Sequence, residues 1–130
     1  MSIYLWHMDK PSVLIIEDDA FIADIMLQRF STFFDARRVD TLADGRELLN
    51  KYETRVLFLD LHLPDGNGLD LLAELREDPR FAQVLVIILS NDSEQEEQQR
   101  GLALGARKYY IKATADFEEI AQEVLAMLTA

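Results

Sequence analysis

Three short apolar runs and one weaker strand candidate in this sequence stop at residues that can do chemistry. Val13 to Ile16 runs into Glu17, Asp18 and Asp19, and Val56 to Leu59 into Asp60. Val84 to Leu89 runs into Ser90, and Lys108 to Ile111 into Lys112. Three or more carboxylates do not crowd together in ionised form without a cation to offset their repulsion. With no cysteine and no suitably paired histidine, the donors are all oxygen. That set favours a hard ion, Mg2+ above all. A carboxylate beside such an ion can attack phosphorus and become an aspartyl phosphate. The Lys112 ammonium and the Ser90 hydroxyl would then hold the phosphoryl oxygens as charge builds on them. The chemistry implied is capture of a phosphoryl group, with no general base required.

These groups act together only if the chain brings the ends of the runs to one place. Unbroken apolar runs of this length read as strands buried on both faces, as in a parallel sheet. A further strand at Ala36 to Val39 is short and carries two arginines, which suits an edge. Between the strands lie helical patterns. Ile22, Ile25, Met26 and Phe30 form one stripe, and Phe117, Ile120, Ala121, Val124, Leu125 and Leu128 form the clearest. Thr41 with Asp44, and Ser93 with Glu96, are spaced like capping pairs, and Leu69 to Glu77 reads as a helix ending before Pro79. The order is βα five times over. It predicts an α/β fold with a five-stranded parallel sheet, helices on both faces and right-handed crossovers. Ligands in such sheets bind at the carboxyl ends of the strands, where Glu17, Asp18, Asp60, Ser90 and Lys112 fall.

The chain has 130 residues, 49% of them apolar, which fits one domain with a full core. Its 24 acidic and 13 basic side chains give a net charge of -11, a field that repels nucleic acid phosphate. No stretch approaches the ~20 consecutive apolar residues of a membrane span. Residues 1–11 lack the marks of a secretory signal and read as an N-terminal tail, in which His7 does nothing chemical. The absence of cysteine suits a reducing compartment. A cytoplasmic protein is the expectation, with the last helix leaving no room for a second domain.

The residues also carry a resemblance. VLIIEDD at 13–19, TLADGRELL at 41–49, LFLDLHLPDGNGLDLL at 57–72, VIILSN at 86–91 and GARKYYIK at 105–112 occur in order. With the spacing of Asp18, Asp60, Ser90 and Lys112, they resemble the receiver domain of two-component response regulators, of the stand-alone type, over residues 12–130. The resemblance implies a flavodoxin-like (βα)5 fold with strand order 2-1-3-4-5. It makes Asp60 the phosphoacceptor and Asp18 a direct Mg2+ ligand, with Glu17 acting through water and His62 through its backbone carbonyl. Ser90 would be the switch hydroxyl, Lys112 the phosphate-binding lysine and Tyr109 the aromatic whose rotamer reports phosphorylation. The phosphate would come from a sensor histidine kinase or a histidine phosphotransfer protein, and a downstream protein would read the changed surface. Two positions depart from the family pattern. Ala113 stands where proline usually follows the lysine in a cis peptide, and Asn91 stands where a very small residue usually follows the switch hydroxyl.

Blander readings stand beside these. Asp19 reads as a helix cap, Gly66 and Gly68 as turn glycines, and Glu94, Glu96 and Glu97 as a solvated helix face. Asp92 and His62 occupy positions that tune loss of the phosphoryl group in the family. Two other functions are weighed against the switch. One is a docking module that works without phosphorylation. The other is a phosphatase with an aspartyl nucleophile, which would want a second acid where His62 stands. The expectation is a phosphate-accepting switch that does not turn over as an enzyme.

Overall fold

A computed structural model describes residues 10–91 and 94–129. Five strands, β1 (Ser12–Ile16), β2 (Asp35–Val39), β3 (Val56–Leu59), β4 (Leu85–Ser90) and β5 (Lys108–Ile111), alternate with five helices. These are α1 (Ala20–Phe30), α2 (Leu42–Lys51), α3 (Gly68–Glu77), α4 (Gln95–Ala103) and α5 (Phe117–Thr129). The strands form one parallel sheet in the order β2-β1-β3-β4-β5, the flavodoxin-like order expected from the sequence. β2 lies at one edge as anticipated; β5, which carries Lys112 at its end, forms the other.

Alternate residues of the central strands feed two cores. Val13, Ile15, Phe58 and Ile87 pack with Met26, Phe30, Ile120 and Val124 of α1 and α5. Leu14, Ile16, Leu57, Leu59 and Ile88 pack with Leu42, Leu49, Leu69 and Leu72 of α2 and α3. Cover on both faces is why these runs are continuous rather than alternating. Each fully buried aliphatic or aromatic side chain contributes roughly 1.5–3 kcal/mol. Phe30 anchors the first core, its ring centroid 4.5 Å from that of Phe58 and edge-on to Phe34 and Phe117.

The helix starts explain much of the loop geometry. Asp19 caps α1, accepting the amides of Phe21 and Ile22 at 3.0 and 3.1 Å, as read from the sequence. Thr41 caps α2 through the Asp44 amide at 3.1 Å. A second acceptor reaches that end from afar: Asp65 takes the amides of Leu42 and Ala43 at 2.8 and 3.0 Å. Asp65 sits in a small antiparallel hairpin, His62–Leu63 with Gly66–Asn67, that leads from β3 into α3. Gly66 there has φ +148°, a conformation that suits glycine. Gly68 differs from the turn role read for it: it is the buried first residue of α3, closely packed on β3.

α4 buries the fewest residues of the five helices. Gly101 is its one buried residue, and Glu94 before it makes no side-chain capping bond. Ser93, expected to cap it with Glu96, lies outside the described residues, as do Asp92, His7 and the rest of 1–9. Lys10 and Pro11 are tied down, the first to Ser31 O and the second accepting the Asp35 amide. β5 passes through a 3-10 turn at Lys112–Thr114 into α5, with no cis peptide bond among the described residues, so the Lys112–Ala113 bond is trans.

Candidate functional site

Because all five strands run parallel, their carboxyl ends share one edge of the sheet. β1 runs into Glu17, whose amide extends the β1–β2 pairing to Val39 O at 3.0 Å. β3 runs into Asp60, whose amide bonds Ile16 O at 3.0 Å and so fixes it beside the β1 end. Ser90 closes β4 and pairs in register with Ile111, the residue before Lys112. Glu17, Asp60 and Ser90 are 1%, 5% and 0% exposed, and the three are the buried polar residues of the described chain. The structure thus gathers the sequence-nominated groups at one spot, with Asp18 exposed at its rim.

Lys112 is the hub. Its side chain is 6% exposed, its Nζ pairs with Glu17 Oε1, and it lies 3.2 Å from Asp60 Oδ2. The remaining oxygens are also held: Asp60 Oδ1 accepts the Leu61 amide at 2.8 Å, and Glu17 Oε2 accepts the Asp19 amide at 3.1 Å. Burial alone disfavours the ammonium. The Glu17 hydrogen bond and the Asp60 charge outweigh it and raise the Lys112 pKa above the ordinary lysine value, so it stays charged. Burial likewise raises the Glu17 carboxyl, against the lowering effect of Lys112 and the Asp19 amide.

Carboxylate oxygens of Glu17, Asp18 and Asp60 lie within 4.8 Å of one another. Lys112 supplies one positive charge in contact with two of them. Three carboxylates against one ammonium leave room for a further cation, and an all-oxygen donor set at a half-open rim suits a hard divalent ion. His62 does not bring its imidazole to this cluster. The ring is largely exposed, and its Nε2 lies 3.9 Å from Glu97 Oε1 of α4.

Other residues singled out in the sequence fall nearby. Tyr109 is half-buried, in register with Ile88, beside Gly101 of α4. Asn91 is exposed after Ser90. Glu97 departs from the solvated face read for it. Its side chain is only 15% exposed and lines, with His62, Asn67, Glu94, Glu96 and Arg100, a cavity of about 260 Å3. The sequence reading missed the site roles of Arg38 and Gly68. Arg38 of β2 donates from Nε to Glu17 O at 3.0 Å and from Nη2 to Asp18 O at 3.4 Å. Gly68 packs against the Asp60 carbonyl, where a side chain would collide. The signal for Arg38 is register: it pairs with Ile15, two residues before the acidic loop.

Comparison with known proteins agrees with this geometry. Residues 13–125 match the family model described as the response regulator receiver domain. The chain is 32% identical over 121 residues to the phosphate regulon transcriptional regulatory protein PhoB of Rhizobium meliloti, covering 91% of this chain and 52% of that protein. It is 36% identical over 111 residues to the cell cycle response regulator CtrA of Brucella ovis, covering 85% and 47%. The chain therefore spans about half the length of these curated relatives. In fold it matches a putative response regulator from Chloroflexus aurantiacus, with TM-score 0.85 at 20% identity over 94% of this chain and all of that one. No helix among the described residues is long and apolar enough to cross a membrane. A sheet order, a carboxyl-edge cluster and a family match over almost the whole chain converge: this chain belongs to the response regulator receiver domain family.

Proposed function

We propose that this domain accepts a phosphoryl group on Asp60 with the help of Mg2+, and that the modified site switches a protein-binding surface. The observation that carries this reading is the setting of Asp60. It is a buried carboxylate at a strand end, 3.2 Å from a buried ammonium and beside two further carboxylates. Mg2+, when bound, would be held by Asp18, Asp60, Glu17 and the His62 carbonyl, and would neutralise charge on the phosphoryl oxygens.

The chain's own residues do the rest. An Asp60 carboxylate oxygen forms the new P–O bond while the P–N bond of a phosphohistidine donor breaks. The electron pair of that bond stays on the imidazole, which takes a proton from solvent. Lys112, already desolvated and charged, and the Ser90 hydroxyl would donate to the transferred oxygens. The Leu61 amide keeps the carboxylate from rotating away. The donor in this reading is a sensor histidine kinase or histidine phosphotransfer protein, and the proposed setting is the cytoplasm. The domain acts once per phosphoryl group and is not a turnover enzyme. Its net charge of -11 argues against nucleic acid contact by the domain itself.

The element best suited to relay the change is α4. With a single buried residue it has little apolar burial to hold it against the sheet. Tyr109 of β5 lies beside it, and Ser90 ends the strand beneath it. We expect the α4–β5–α5 surface to meet the downstream protein. The test is titration with beryllofluoride and Mg2+, read by tyrosine fluorescence, on the wild type and Asp60→Asn. A saturable, Mg2+-dependent response absent from the variant is the expected result. A folded wild type with no response would overturn the switch and favour the docking module.

A further inference from the structure

We propose that Arg38, on the edge strand, is a positioning residue that fixes the Asp18 end of the cation site by holding the peptide carbonyls on both sides of Asp18. The proposal rests on the reading that Glu17, Asp18 and Asp60 hold Mg2+.

The geometry is specific. β2 ends at Val39, and the last backbone bond between β1 and β2 joins Glu17 N–H to Val39 O. Past that point the carbonyls of Glu17 and Asp18 run beyond the sheet. Arg38 is in register with Ile15, so its backbone lies two residues, roughly 6–7 Å of strand, behind the acidic loop. Its side chain covers that gap. Nε donates to Glu17 O at 3.0 Å and Nη2 to Asp18 O at 3.4 Å. These two carbonyls belong to the peptide units immediately before and after the Asp18 Cα. A planar guanidinium can hold both at once with a fixed fork, where a lysine ammonium is a single flexible point charge.

Asp18 is the member of the cluster that needs this. Glu17 is held through its own carboxylate by Lys112 and the Asp19 amide, and Asp60 by Lys112 and the Leu61 amide. Asp18 is exposed, so its carboxylate is aimed through its backbone. Arg38 has two opposite influences on a bound cation. Its charge repels the ion, and its fork orders the ligand. We assign the second as dominant, because the guanidinium binds carbonyls rather than carboxylates and leaves the ligand oxygens open.

The neighbouring Arg37 provides a control of the same charge. It stacks over the Tyr52 ring, 4.1 Å from its centroid, and is in register with Leu14, one residue further back along β1 than the Arg38 partner Ile15. The experiment is calorimetric titration of Mg2+ into the full chain at fixed ionic strength, for the wild type, Arg38→Met, Arg38→Lys and Arg37→Met. Thermal midpoints in chelator check the fold. Arg38→Met is expected to weaken Mg2+ binding about tenfold, the low end of the range for groups that orient metal ligands. Arg38→Lys, which keeps the charge and loses the fork, should fall between it and the wild type, and Arg37→Met should bind as the wild type does. In metal-free protein the Asp19 amide should also exchange faster in Arg38→Met. If Arg38→Met binds Mg2+ equally or more tightly, or Arg38→Lys matches the wild type, the positioning role is overturned while the metal site stands. A wild type that binds no Mg2+ overturns the metal site and the Arg38 role together. Should Arg38→Met fail to fold, the direction of the Arg38→Lys change decides.

Discussion

A methyl group added at Gly68 would overlap the backbone carbonyl oxygen of Asp60 and lie 3.1 and 3.2 Å from side-chain carbons of Leu59. The obstacle is main chain at the end of a buried strand, so no side-chain rotation relieves it. Gly68 is also pinned by its own amide, which bonds Leu61 O at 2.8 Å. Its backbone is not in the left-handed region, which among the described glycines holds only Gly66 and Gly105. Alanine is therefore conformationally acceptable there, but at the first position of α3 the helix-interior penalty of glycine offers it nothing to recover. Overpacking of this kind costs about 1–3 kcal/mol, which is the destabilisation expected for Gly68→Ala. With a urea m-value of about 2 kcal/mol/M, the midpoint should fall by about 0.5–1.5 M. The same displacement moves the Asp60 backbone, and a shift of about 1 Å at a reacting group can cost about 100-fold in rate. Phosphorylation by acetyl phosphate, followed by intact mass, should slow at least tenfold, on the order allowed by that displacement. Gly45→Ala is the comparison. Its methyl group would overlap the Ile16 Cδ1 and lie 3.2 Å from its Cγ1, both on a side chain that can shift for about 0.5–1.5 kcal/mol, while alanine inside α2 gains about 1 kcal/mol. That variant should be nearly neutral in both assays. A Gly68→Ala protein as stable as the wild type, and phosphorylated at the same rate, would refute the packing argument.

Three further outcomes are expected. Lys112→Met leaves Glu17 and Asp60 buried without their counter-ion; in chelator it should cost about 3 kcal/mol by urea denaturation, with Mg2+ restoring part of the loss. The Leu42 and Ala43 amides hold the Asp65 carboxyl below the usual aspartate value of 3.8, so its stabilisation is complete above that pH and is lost as pH falls below it. Asp65→Ala should accordingly lower the urea midpoint at pH 7, with the gap to the wild type closing under more acid conditions. Asn91→Ala, which trims the exposed residue after Ser90, should speed uptake of phosphate from acetyl phosphate in a time course read by mass.

The sheet and the groups at its carboxyl edge were legible because the signals are local. Runs such as Val56–Leu59 are apolar throughout only because both faces are covered, and each ends on the residue that the parallel sheet delivers to the edge. Asp60, Glu17, Ser90 and Lys112 were found this way, and Asp19 and Thr41 were legible as caps from their spacing alone. What escaped the sequence reading depends on neighbours distant in the chain. Arg38 looks like an edge-strand charge until the register sets it beside Glu17 and Asp18. Asp65 looks like a turn residue until the hairpin folds it onto α2. Gly68 lies beside a turn in sequence, but its role comes from close approach to Asp60. Glu97 belongs to a helix with no apolar stripe to show which face is covered, so its partial burial beside His62 could not be read in advance.

Whether Asp60 is the phosphoacceptor is settled by intact mass after incubation with Mg2+ and acetyl phosphate, on the wild type and Asp60→Asn. A single phosphoryl adduct on the wild type, lost in chelator and absent from the variant, is the expected result. A folded wild type that gains no adduct, or a variant that gains the same one, would contradict the assignment.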